Sequence, residues 1–147
     1  MHILLLVNLS ITLIMVGIIT FVQFVHYPLF NRVGTHSFQR YEADHTLLIT
    51  RIVMPLMLTE FLTALLIAID PPAEVNQGTL WFGVLLIGII WGSTLLIQMP
   101  LHSRLAAGFD DQAYRMLVIS NWIRTAAWVM RGLLMLGAAA GLIDVTS

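Results

Sequence analysis

Long apolar runs separated by short polar ones organise the chain. Ile3 to Val25 contains no charged residue. A helix rises 1.5 Å per residue, so about 20 apolar residues cross the hydrocarbon of a bilayer. The run predicts a first span over residues 3–26 and reads as a span rather than a signal peptide, because it has no basic leading region and no small-residue cleavage site. Tyr27-Pro28 predicts the break of that helix, and residues 31–35 a turn. A second span is predicted over 47–69, with a polar helical extension beginning near Ser37 and an end at Asp70-Pro71-Pro72. After a polar loop, residues 79–101 form a third uncharged span. Residues 106–110 read as a turn, with Asp110 as helix cap, and the fourth span covers 116–143 on a helix that starts near Asp111. The connections are short, so sequential helices are expected to be antiparallel neighbours. The expectation is one all-α domain over residues 1–147, an integral membrane four-helix bundle.

Composition strengthens this picture. Of the 147 residues, 59% are hydrophobic and 10% are charged, against about a quarter charged in soluble domains. Mean hydropathy is +0.89. The formal charge of −1 argues against a nucleic-acid partner, which needs a basic excess. The chain has no Cys, which removes disulfides, thiolate metal sites and iron–sulfur ligation. All seven cations are Arg. Arg32, Arg40, Arg104 and Arg115 fall at one end of the predicted bundle, and no Arg falls at the end that carries both termini and the 70–78 loop. The positive-inside rule then places the loops at 27–36 and 106–112 in the cytoplasm and both termini outside, in a bacterial inner membrane.

Charges inside spans are costly and normally face the bundle interior. Glu60 is ten residues inside Asp70, and Arg131 thirteen inside Asp144. Both therefore lie near mid-membrane, and the favoured reading is a structural ion pair between the second and fourth helices. The alternative is a proton-accepting carboxylate controlled by Arg131.

A second polar layer is predicted nearer the Arg-bearing end. His26 is 23 residues after Ile3, His102 is 23 after Thr79, and His45 is 25 before Asp70. Three helices thus place a His at one depth, with Gln23, Gln98, Asn121, Arg51 and Arg124 within about two turns. Trp91, Gln98 and His102 form one helical stripe; Asn121, Arg124, Trp128 and Arg131 form another; Asn8 and His26 share a face. Arg51 lies about 180° from Glu60 around its helix and is expected either to snorkel toward the interface or to reach another helix. Imidazoles converging from three helices suit a divalent metal, and two of them suit a haem or chlorophyll-type pigment. Ordinary hydrogen bonding near the headgroups, with no cofactor, is the third option. No spacing such as Glu-x-x-His chooses among these, and no nucleophile elbow or phosphate loop is present.

Pro55 and Pro100 lie inside spans, where each removes a backbone hydrogen bond. They predict either helix curvature or a widened polar pocket. Gly88-Ile-Ile-Trp-Gly92 and Gly137-Ala-Ala-Ala-Gly141 suit close helix packing, within the bundle or between copies. Trp81 and the Tyr residues fit interfacial anchors.

The segments Pro100-Leu-His102-Ser-Arg104-Leu-Ala-Ala and Asn121-Trp-Ile-Arg124-Thr-Ala-Ala-Trp128, together with His26-Tyr-Pro28 and the pair Tyr41 and His45, resemble small four-span bacterial membrane proteins related to the anthrone-oxygenase-like family. The resemblance covers the general layout of the chain, and its specific part is one helix–turn–helix. It implies oxidation of a flat aromatic molecule without an established cofactor, and it carries over no catalytic residues.

The leading expectation is a membrane-embedded oxidoreductase or oxygenase-like protein acting on a hydrophobic molecule that enters from lipid. His26, His45 and His102 would bind a metal or move protons, while Arg124 and Asn121 orient the substrate's oxygen or stabilise negative charge. The rival is a non-catalytic subunit of a larger electron-transfer or photosynthetic membrane complex, holding haem or pigment. A homo-oligomer fits either reading.

Overall fold

The computed structural model describes residues 1–144. The chain's last three residues, and with them the predicted placement of the C-terminus, lie outside the described residues. Four helices form a bundle: α1 (His2–Phe30), α2 (Thr35–Ile69), α3 (Gln77–Ala106) and α4 (Asp111–Asp144). Among the described residues no strand occurs. The first three helices are long and apolar enough to cross a membrane; α4, which carries Arg124 and Arg131, does not meet that measure over the described residues.

Helix ends follow local chemistry. α2 ends before Asp70, where Pro71 and Pro72 cannot continue it. Asn76 caps α3 by accepting from the Thr79 N–H at 3.2 Å. The Asp110 carboxylate accepts from the Ala113 N–H at 3.0 Å at the start of α4. Gly34 sits at φ 82° before α2, a left-handed turn position that favours Gly.

One boundary differs from expectation, for a physical reason that recurs in α3. The predicted break at Tyr27-Pro28 is absent, and α1 runs on to Phe30. Just before Pro28 the helix widens into a π-turn at Val22–His26, where the Tyr27 N–H bonds the Val22 carbonyl five residues back. α3 repeats the device: a π-turn at Thr94–Gln98, with the Met99 N–H on the Thr94 carbonyl, precedes Pro100. The wider turn moves away the carbonyl that each proline ring would strike, so the helix continues past it. Pro55 has no such turn and lies within α2.

Packing places the polar side chains inside. Three apolar clusters stack along the bundle. Leu5, Ile67, Leu80 and Met135 fill the end bearing the N-terminus. Met15, Met57, Leu86 and Trp128 fill the middle. Phe30, Phe38, Leu105 and Leu117 fill the Arg-bearing end. Between them lie buried Asn8, Thr12, Gln23, Glu42, Glu60, Gln98, Asn121, Arg124 and Arg131. Outward positions such as Ile3, Leu48, Leu66, Leu96, Ile119 and Leu133 are exposed and apolar. The bundle thus has an apolar exterior around a polar seam.

Candidate functional site

The seam contains two buried carboxylates in different settings. Glu60 is the centre of the first. Arg131 Nε donates to its Oε1 at 2.9 Å, Thr12 to the same oxygen at 2.7 Å, and Trp128 Nε1 to Oε2 at 3.0 Å. Arg131 also donates to Asn8 Oδ1 at 2.6 Å, and Asn8 donates to the Glu60 carbonyl and to Thr63. Three helices therefore enclose the pair with matched donors and acceptors. The fourth gives it room at Gly83, where a β-carbon would stand 2.8 Å from Arg131 Nη1. Glu60 and Arg131 are 2% and 1% exposed, and neither lines the cavity described next. This is a saturated ion pair, which suits joining helices better than exchanging protons.

The second carboxylate, Glu42, stands near the Arg-bearing end. Phe38, Glu42 and His45 share one inward stripe of α2. Glu42 is fully buried, and its Oε1 lies 2.5 Å from His102 Nδ1 on α3. His102 Nε2 lies 3.1 Å from the Tyr27 hydroxyl on α1. Beside them His26 Nε2 meets His45 Nδ1 at 2.9 Å. The rings of His45 and His102 are 5.6 Å apart. The structure thus brings His26, His45 and His102 into one neighbourhood, with Tyr27 and Glu42 among them.

A cavity of about 350 Å³ opens beside this cluster. Its polar lining is Tyr27, His45, Gln98, His102, Thr94 and Arg124, and its apolar lining includes Met15, Ile19, Met54, Met57 and Trp128. A second hollow of about 420 Å³, between α1 and α2, is bordered by Gly17, Phe21, His26, His45 and Ile52. His45 faces both hollows, whereas His26 borders only the second.

Arg124 is held from behind. Its Nε and Nη2 donate to Asn121 Oδ1 at 3.0 and 2.6 Å, and its Nη1 to Thr94 at 3.3 Å. Asn121 in turn donates to Gln23 at 2.8 Å. Both ends of the Asn121 amide are occupied, and it does not line the cavity. Its amide oxygen holds the Arg124 guanidinium in place. Arg51, expected near the layer, is exposed on the outside of α2.

The three histidines do not fit a shared metal. Both nitrogens of His102 already face Glu42 and Tyr27, while His26 and His45 point at each other. Among the described residues no group of three His, Asp or Glu is arranged to hold a metal ion. A haem or chlorophyll-type ring gripped by two of them fits no better. Two axial imidazoles must stand on opposite faces of the macrocycle, and the rings of His26 and His45 are 4.4 Å apart.

Sequence reasoning missed Glu42 and Tyr27. Glu42 falls in the stretch read as a polar extension beyond the lipid, where a carboxylate would be solvated. Tyr27 was read as part of a helix break, and the Tyr residues as interfacial anchors, yet Tyr27 is 2% exposed. The stripe linking Phe38, Glu42 and His45 was the available signal.

No protein family, curated protein or solved structure matches the chain.

Proposed function

We propose that this protein is an antiparallel four-helix transmembrane bundle that takes a hydrophobic, oxygen-bearing small molecule from the lipid and acts on it by proton transfer, as an oxidoreductase or oxygenase-like protein. The observation that carries the reading is the cavity, apolar over most of its wall and bearing Tyr27, His45, His102 and Arg124 in its lining. A molecule with a flat apolar body and one polar oxygen matches that division. Arg124, held by Asn121, presents a fixed positive charge to that oxygen. The oxidative outcome rests on the resemblance of the Pro100 and Asn121 segments, and the histidines enter as acid–base groups.

Membrane insertion is supported by the apolar exterior around the polar seam. Alternating helix direction is supported by the contacts of α1 with α2. Asn8, early in α1, bonds Thr63, late in α2, whereas His26, late in α1, bonds His45, early in α2. The Arg distribution favours a bacterial inner membrane with both termini outside. A reporter fused to the C-terminus should be active outside the cytoplasm; activity inside reverses the orientation.

The function is tested by extracting lipid-soluble molecules from protein purified out of its native membrane. Wild type should carry a small aromatic or carbonyl compound that a cavity-filling Met54→Trp variant lacks. Identical extracts from two folded proteins would overturn the pocket reading.

A further inference from the structure

We propose that Tyr27 is the catalytic group that takes a proton from the bound molecule, with His102 and Glu42 as its proton relay; this rests on the cavity reading above. The geometry makes a directed chain. With Glu42 as a carboxylate, which only accepts hydrogen bonds, the contact at 2.5 Å places the proton on His102 Nδ1. A neutral imidazole protonated at Nδ1 presents a lone pair at Nε2. The Tyr27 hydroxyl, 3.1 Å away, therefore donates to Nε2, while its oxygen faces the Arg124 guanidinium and keeps a second lone pair for the bound molecule. Tyr27 and His102 both line the cavity, and Arg124 lines it too. An oxygen nucleus backed by an imidazole, itself backed by a buried carboxylate, is an arrangement that makes a weak base competent.

Glu42 differs from Glu60 in the property that matters here. Both oxygens of Glu60 are engaged, one of them by Arg131. Glu42 has no Arg partner within salt-bridge distance, and its Oε2 has no hydrogen-bond partner among the described residues. Its negative charge is thus available to stabilise an imidazolium at His102.

The step balances without an outside reagent. The Tyr27 O–H bond breaks and its proton passes to His102 Nε2. The Tyr27 oxygen takes a proton from the bound molecule, whose bonding pair stays behind as an anion. Arg124 faces that anion, and Glu42 faces the new imidazolium. Reversal of the same transfers returns the proton. The matching ligand class is a lipid-soluble molecule with a weakly acidic phenolic O–H or a C–H beside a carbonyl.

The test uses the full chain in nanodiscs and an alkyl nitrophenol, whose phenolate is coloured. At the pH where the probe is half-ionised in empty nanodiscs, saturable binding to wild type should move the ionised-to-neutral ratio by about tenfold toward phenolate, the equivalent of one pKa unit. Tyr27→Phe and Glu42→Gln should bind the probe but lose most of that shift. Arg124 is present in each, so its charge alone cannot produce the difference. The titratable groups around His102 are Tyr27 and His26 from α1 and Glu42 and His45 from α2, and Arg124 from α4 stands beside Tyr27. Asp110→Asn, at the start of α4, should leave the shift in place, because Asp110 touches neither the cavity nor the relay. Equal shifts in wild type, Tyr27→Phe and Glu42→Gln would overturn the relay and leave the cavity reading standing. Absence of saturable binding to wild type would overturn both. Nitrogen NMR of His102 in wild type needs no variant to fold: protonation at Nδ1 is expected, and protonation at Nε2 alone would overturn the relay.

Discussion

The Glu60 and Glu42 regions place the same side chain, equally hidden, in opposite circumstances. Around Glu60 both carboxylate oxygens accept hydrogen bonds, and an Arg neutralises the carboxylate from 2.9 Å. Around Glu42 one oxygen meets an imidazole, the other has no hydrogen-bond partner among the described residues, and a cavity begins one side chain away, at His102. Burial is therefore no guide to role. What separates the regions is whether the charge is already answered. A satisfied pair fastens helices, and an unsatisfied carboxylate retains an electrostatic pull that can be transmitted through a neighbour.

The strongest way to break this comparison is to remove Glu60. Glu60→Ala strands Arg131, which stays charged in nearly any environment, and should destabilise by about 3–5 kcal/mol. Combining it with Arg131→Met should recover part of that loss. Unfolding of both variants in detergent measures the coupling, and a value of zero would show that the pair does not hold the bundle. Next in size is Gly83→Ala. It thrusts a methyl group to 2.8 Å from an Arg131 nitrogen whose guanidinium is tied to Glu60 and Asn8, for an expected loss of about 1–3 kcal/mol. Gly88→Ala is the control, since nothing lies within 4 Å of its added carbon. Equal stabilities would mean that Arg131 shifts freely and the clamp is loose.

Glu42→Gln should affect stability less, by about 1 kcal/mol, because the amide oxygen still accepts from His102. A loss as large as that of Glu60→Ala would make Glu42 a second fastener and erase the contrast. The smallest effect is expected from a half-buried carboxylate in the turn before α4. Asp110 is held below the usual carboxylate range by the Ala113 N–H and by Arg104. Its folded value is depressed, so its contribution is present above the unfolded pKa and fades as pH falls through the folded one. Asp110→Asn should flatten that acid-side loss in a thermal-unfolding series against pH, and a series identical to wild type would dismiss the cap as a source of stability.

Much of the helical outline was legible because it depends on local chemistry. Asp70-Pro71 stops α2, Asp110 caps α4, and uncharged runs define α1 and α3. Depth was legible as well, since rise per residue is constant: counting placed Glu60 level with Arg131, and His26 level with His45 and His102, pairs that the structure brings into contact or near-contact. Azimuth was less so. Tyr27 and His102 each follow a π-turn, which adds a residue to the turn and rotates everything beyond it, so a strict 3.6-residue count cannot say which way they face. Glu42 shows the same limit in another form. Its sequence neighbours suggested a solvated extension, but the packing of Phe38 against Phe30 and Phe109 seals that end of the bundle. The sequence alone therefore determined the helices, their apolar faces and the levels of the polar groups, because these follow from periodicity and rise. Only the tertiary structure decided which carboxylate is neutralised and which is left facing an imidazole, because partners arrive from other helices at angles that no single helix encodes.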